Sequence, residues 1–202
     1  MPSVKLDNLT FVHIPRSAGT SIGHWLINNR GNSSVKSWYN HPKLSDMNPS
    51  GVSFTVIRNP WDRIVSLYYY TKKVKVTHGD IIPFGISDNQ AQQHINQINN
   101  IKEWPDFNKW ILNLESFKMP EIFWFNMLTP QSSWADNVDI ILKYENLEQD
   151  FVKIQDLFGC HVNLPQENST NRELYKYLYT SKSKDLIYKW FKDDIQHWEY
   201  EF

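Results

Sequence analysis

Twice within the first third of the chain, a short apolar run breaks off at a turn and the sequence passes directly into a helical pattern. The first run, Leu9 to Ile14, is stopped by Pro15, and from Thr20 to Ile27 the residues Ile22, Trp25 and Leu26 recur at the spacing of one helix face. Gly31 stands where a helix-ending glycine belongs. The second run, Val52 to Ile57, meets Arg58-Asn59-Pro60, after which Ile64, Val65, Leu67 and Tyr68 carry a helical stripe to about Lys72. Asn59 suits an N-cap, Pro60 the first helical position, and Asp62 is placed to reach back to the cap. The chain therefore turns sharply at Arg58.

A strand leading straight into a helix, repeated, is the unit of a layered α/β fold with a mainly parallel sheet, and later segments agree. Val138 to Lys143 is a compact β-branched run of the kind that fills a parallel sheet buried on both faces. Helical patterns follow over Phe107 to Leu114, from about Leu147 to Phe158 with Gly159 after it, and over ELYKYLY and KDLIYKWFKDDIQHW near the end. Between them, residues of about 72–117 read as a polar, variable excursion facing an acceptor rather than the core. With 202 residues, 41% hydrophobic, the chain can build one sizeable core, so a single domain over residues 1–202 is expected.

The formal net charge is -1, so no overall field gathers nucleic acid or an anionic membrane, and anion binding has to come from placed basic groups. Cys160 is the single cysteine, which excludes an internal disulfide and a cysteine-based zinc site and fits a reducing compartment. The opening MPSVKLDNLTFVHIP contains no long apolar stretch of signal-peptide or membrane-spanning kind. The expectation is a soluble, cytoplasmic chain with no membrane segment and no nucleic-acid partner.

Both strand-to-helix junctions have the chemistry of anion sites. In Pro15 to Ser21 (PRSAGTS), the N–H groups of Ala18, Gly19, Thr20 and Ser21 can converge on one anion at the positive end of the helix. Gly19 permits close approach, Thr20 and Ser21 add hydroxyls, and Arg16 supplies a permanent charge. The loop is not a Walker A motif, which lacks neither a G-K-[ST] ending nor its glycine spacing. By itself it reads equally well as a turn followed by a helix cap. RNPWDRIVS sets Arg58 at the end of another strand and Ser66 about two turns into the next helix, so that both can face the carboxyl edge of the sheet. Alone, Arg58 reads as a surface ion-pair residue, Asp62 and Arg63 as a solvated helix start, and Ser66 as a buried hydroxyl. Together, the two loops suit a ligand with two separated phosphate groups.

The pair HIPRSAGTSI and FTVIRNPWDRIVSLYYY resembles the two nucleotide-binding signatures of the sulfotransferase superfamily that uses 3′-phosphoadenosine 5′-phosphosulfate (PAPS). The branch it resembles holds carbohydrate sulfotransferases such as the heparan uronyl 2-O-sulfotransferases. The likeness continues through HPKL, TPQSSW, VDIILKYENLEQDF and NSTNRELYKYLYT. It implies a P-loop-like three-layer fold, with PAPS as sulfuryl donor, PAP as product, and a hydroxyl or amine of an acceptor, a carbohydrate, as the second substrate. By position, Arg16, Ser17, Ala18, Gly19, Thr20 and Ser21 would hold the 5′-phosphosulfate, and Arg58 and Ser66 the 3′-phosphate. Asn168, Thr170 and Arg172 resemble a later segment near the nucleotide and read as well as a polar helix cap. Where the family has Lys-Thr, this chain has Arg16-Ser17; an arginine cannot lend a proton at neutral pH, so it would act by charge and bidentate hydrogen bonding.

Sulfuryl transfer needs in-line approach and stabilisation of charge on the departing oxygen, which Arg16 and the loop N–H groups would supply; no carboxylate or histidine cluster marks a metal site, so no metal is expected. The acceptor hydroxyl needs a base near neutrality, which turns attention to the seven histidines. His41, in SWYNHPKLSDM after the expected second strand, resembles the family's catalytic histidine; otherwise it is a loop residue beside Pro42. His13, expected inside the first strand and hydrogen-bonded in the core, is second, with Glu145 and His94 in reserve. Trp38 and Tyr39 are candidate platforms for a sugar ring. Two other readings stand beside this one: a nucleotide-dependent kinase or NTPase using the first loop, and a non-catalytic PAPS- or glycan-binding module.

Overall fold

The computed structural model describes residues 3–38, 41–73, 106–113, 128–165 and 174–202. They fall into two compact units, Met1–Asn59 with Pro130–Ser169, and Pro60–Thr129 with Thr170–Phe202. Most of the polar excursion, along with His94, Tyr39, Asn168, Thr170, Arg172 and the side chain of Trp38, lies outside the described residues.

The first unit is α/β. Its strands β1 (Ser3–Lys5), β2 (Leu9–Val12), β3 (Lys36–Trp38), β4 (Val52–Ile57) and β5 (Ile140–Lys143) form one sheet in the order β3-β1-β2-β4-β5. β2, β4 and β5 pair in parallel, whereas β1 is antiparallel to both β2 and β3. Four of the five strands thus run the same way, and the carboxyl ends of β2, β3, β4 and β5 emerge at one edge. The reversed strand β1 is a hairpin partner of β2, its turn closed by the Leu6 N–H donating to the Leu9 carbonyl at 2.8 Å.

Helix α1 (Gly19–Asn29) and the helix Val152–Phe158 bring their apolar sides to the same cluster as the sheet. There Phe11 stacks on Phe54 at 4.9 Å and Trp25 meets Phe151 edge-on at 5.0 Å. Burying each such ring contributes about 1.5–3 kcal/mol. Gly31, at φ 58 just past α1, takes the left-handed conformation anticipated for a helix-ending glycine, as does Gly159 at φ 67. β4 is buried from Ser53 onward as a central strand should be. β5 departs from expectation: Ile141 is 36% exposed, so its apolar run is not buried on both faces, and among the described residues it stands at the edge of the sheet.

Among its described residues the second unit is helical. It comprises α2 (Pro60–Lys73), the helices Phe107–Asn113, Ser181–Trp190 and Lys192–His197, and a short 3-10 turn, Tyr175–Leu178, where ELYKYLY was read as a helix. The last helical pattern is broken at Phe191, whose φ of -117 leaves helical space while its ring stays buried. Trp61, Ile64, Tyr68, Trp110 and Ile187 are among the side chains of its core. Arg63, read from sequence as solvated, is wholly buried in this unit; its guanidinium donates to the Thr129 carbonyl at 3.1 Å and lies over the Phe191 ring.

Candidate functional site

Because β2 and β4 are parallel neighbours, with Val12 opposite Thr55, the loop after one and the turn after the other leave the sheet side by side. The first loop is bent in an unusual way. Arg16 at φ 68 and Ala18 at φ 59 both adopt the left-handed conformation, which for residues other than glycine is uncommon and concentrates at functional sites. Ala18 is the N-cap of α1, so the N–H groups of Gly19 and Thr20, in the first turn, lie ahead of any intrahelical carbonyl. Ser17 is 1% exposed, and its Oγ is the one buried side-chain polar atom among the described residues without a hydrogen-bond partner. A buried hydroxyl left in that state costs about 1–3 kcal/mol unless a ligand atom satisfies it.

Gly19 is required here by space rather than by backbone angle. Its Cα lies against the ring of His13, so any Cβ would collide with the imidazole. His13 itself is not inside the first strand, which ends at Val12; it is the first residue beyond it, 6% exposed, with its N–H donating to Ser3 Oγ at 3.0 Å.

Arg58, at the end of β4, is 6% exposed rather than a surface residue. Its Nη1 donates to the Arg16 carbonyl at 2.9 Å, and its guanidinium stacks over the Tyr144 ring at 3.9 Å. Planar stacking and directed donors are what distinguish arginine from lysine at such a position. The turn itself is clamped. Gln131 Oε1 accepts from the Arg58 N–H and Gln131 Nε2 donates to the Arg58 carbonyl, both at 2.8 Å, while the Asn59 N–H donates to Glu145 Oε1 at 2.6 Å. Glu145, a reserve base in the sequence reading, is thereby tied to the turn.

His41 follows β3 and also holds a left-handed φ, 51. Its Nδ1 lies 3.2 Å from the His13 carbonyl, its own carbonyl accepts from Trp134 Nε1 at 2.9 Å, and its ring meets His13 edge-on at 4.5 Å. A carbonyl oxygen can only accept, so Nδ1 carries the hydrogen and the neutral ring has its lone pair on Nε2.

The first unit thus brings together Arg16 to Ser21, Arg58, His41 and His13. Ser66 lies in α2 of the second unit, 4% exposed. Gln131 and Tyr144 were not singled out from sequence, although both fall in segments whose likeness was noted. The signal available for Tyr144 was its position directly after a strand run, the same place held by Arg58. Among the described residues, no group of three or more His, Cys, Asp or Glu side chains is arranged to hold a metal, and no helix is long and apolar enough to cross a membrane.

The profile of the sulfotransferase family matches residues 5–201. No curated protein matches the sequence. Among solved structures the chain is similar to a mouse sulfotransferase, SULT7A1, in complex with PAP, with 13% identity and a TM-score of 0.41 over 94% of this chain and 84% of that one. So loose a likeness carries no argument about function.

Proposed function

The chain belongs to the sulfotransferase family, and on that footing we propose that it moves a sulfuryl group from PAPS to a hydroxyl or amine of a carbohydrate acceptor. The observation that supports the donor assignment is the bond from Arg58 to the Arg16 main-chain carbonyl, which ties the turn after β4 to the loop after β2 and fits both gripping one ligand. The unsatisfied Ser17 hydroxyl and the strained loop around it fit a phosphosulfate, an anion with enough acceptor oxygens to engage several donors at once.

In this reading the first-turn N–H groups and Arg16 bind the 5′ end of the donor and stabilise charge on the oxygen that leaves sulfur. Arg58, steadied by Tyr144 and Gln131, binds the 3′-phosphate, with Ser66 assigned to the same group by resemblance alone. His41 takes the acceptor proton on Nε2 as the acceptor oxygen or nitrogen bonds to sulfur and the sulfur–oxygen bond to the nucleotide breaks. The side chains supply charge, orientation and a proton acceptor.

Purified protein incubated with PAPS and a panel of glycans should yield sulfated product and 3′,5′-ADP. Arg58→Ala should weaken 3′,5′-ADP binding about tenfold or more, the cost of losing a charge-assisted contact. His41→Ala should lower kcat by about 100-fold or more with nucleotide affinity nearly unchanged. Preference for ATP over 3′,5′-ADP would point to a kinase, and 3′,5′-ADP binding without transfer to any acceptor would point to a binding module.

A further inference from the structure

We propose that His13 is a positioning residue: its imidazole, wedged between the Cα of Gly19 and the ring of His41, sets the angle at which His41 faces the donor loop. This rests on His41 being the proton acceptor argued above.

Three contacts converge on this one residue. Its ring occupies the space where a Cβ at Gly19 would be, so it is in direct contact with the first turn of the loop helix. The same ring meets the His41 ring at 4.5 Å with an interplanar angle of 62°. Its carbonyl lies 3.2 Å from His41 Nδ1. His13 is itself anchored through its N–H to Ser3 Oγ and stacks on Phe11 at 6.0 Å, so its neighbours on the sheet side hold it in place. His41 sits on a loop in a left-handed conformation, past the end of a three-residue strand, and a ring so placed takes its orientation from what it packs against. Side-chain packing through His13 therefore couples the loop that holds the leaving group to the residue that receives the proton. Small misplacements of a reacting group cost large factors in rate, which gives such coupling kinetic weight.

The test compares His13→Ala with His13→Gln, a planar side chain of similar reach that does not titrate near neutrality. In His13→Ala, kcat should fall about 10- to 100-fold while the Kd for 3′,5′-ADP stays within about threefold; His13→Gln should recover most of the loss. Long-range proton–nitrogen NMR of His41 supplies a readout that needs no turnover. The main-chain carbonyl that accepts from His41 Nδ1 is present in every variant, so a ring still held at its angle keeps Nδ1 protonated, as expected in the wild type and in His13→Gln. A ring that swings away in His13→Ala loses that bond and shows mixed tautomers. A His41 that keeps a fully protonated Nδ1 in His13→Ala overturns the proposal even if the sulfuryl-transfer reading itself fails. So does a His13→Gln variant as slow as His13→Ala, which would make the imidazole a proton carrier in its own right.

Discussion

Ser17 concentrates the conflict between folding and binding into one atom. Its Oγ is buried without a hydrogen-bond partner among the protein's own groups. Removing it should relieve desolvation without opening a large cavity, because serine and alanine differ by one oxygen. Ser17→Ala is therefore expected to raise the stability of the unliganded protein by up to about 1 kcal/mol, measured by urea unfolding, and to weaken 3′,5′-ADP about tenfold. A variant that gains stability and keeps its affinity would remove Ser17 from the donor site. Residues of this kind differ in how far sequence reveals them. Arg16, Arg58 and Gly19 stand out because the two loops repeat the same pattern at two strand ends, although each loop alone has an ordinary reading as a turn, a cap or an ion-pair site. The clamp by Gln131 and the stacking of Tyr144 under Arg58 did not, since each depends on which strand lies beside β4. The space demanded at Gly19 by His13 was equally hidden, being a contact between residues on either side of a bent loop.

Strands are held in register by a few side chains as well as by their ladders, and Asp139 is the clearest case. Immediately ahead of β5, its Oδ2 accepts from the Ser53 N–H at 2.8 Å and from Ser53 Oγ at 2.7 Å, and its own N–H donates to Ser53 Oγ at 3.0 Å. These hydrogen bonds from Ser53 favour the carboxylate and hold the Asp139 pKa below its usual value. A group so depressed stabilises the fold above its unfolded pKa of about 3.9, and that contribution is lost as pH falls through the lower folded value. Asp139→Asn should accordingly destabilise the fold only slightly at pH 7 in chemical unfolding, because the exposed carboxylate is screened by solvent, with the difference from wild type closing below about pH 4. A difference that stays constant with pH would mean that the carboxylate charge is irrelevant to the clamp. This pairing also bears on what elements could be read in advance. β2, β4 and both loop helices were legible because in each case an apolar run and a helical stripe stand on either side of a turn. β1 was not, because Ser3–Lys5 is too short to show a period and pairs through its backbone. The burial of β5 departs from expectation because composition reports that a strand is apolar, not what covers each of its faces.

At the scale of the whole chain, the arrangement of the two units along the sequence has a thermodynamic consequence. Neither is contiguous: the chain passes between them at Asn59–Pro60, Thr129–Pro130 and Ser169–Thr170. Unfolding one unit alone would leave one of its segments tethered to the other unit at both ends and its second segment at one end, so the entropy released would be less than for a free domain of that size. We therefore propose that residues 1–202 behave as a single domain, with one calorimetric transition whose van 't Hoff and calorimetric enthalpies agree. A ligand bound by the loops of the first unit should then move that whole transition. At 100 times its Kd, 3′,5′-ADP contributes about 2.7 kcal/mol, which for a chain of this length is about 5–10 °C in Tm. The formal charge of -1 gives no long-range attraction to any anion, so that stabilisation has to arise at the placed groups, and Arg58→Ala should abolish most of it. Two transitions, of which only one shifts with ligand, would divide the chain into independently folding parts and overturn the single-domain reading while leaving the donor site in place.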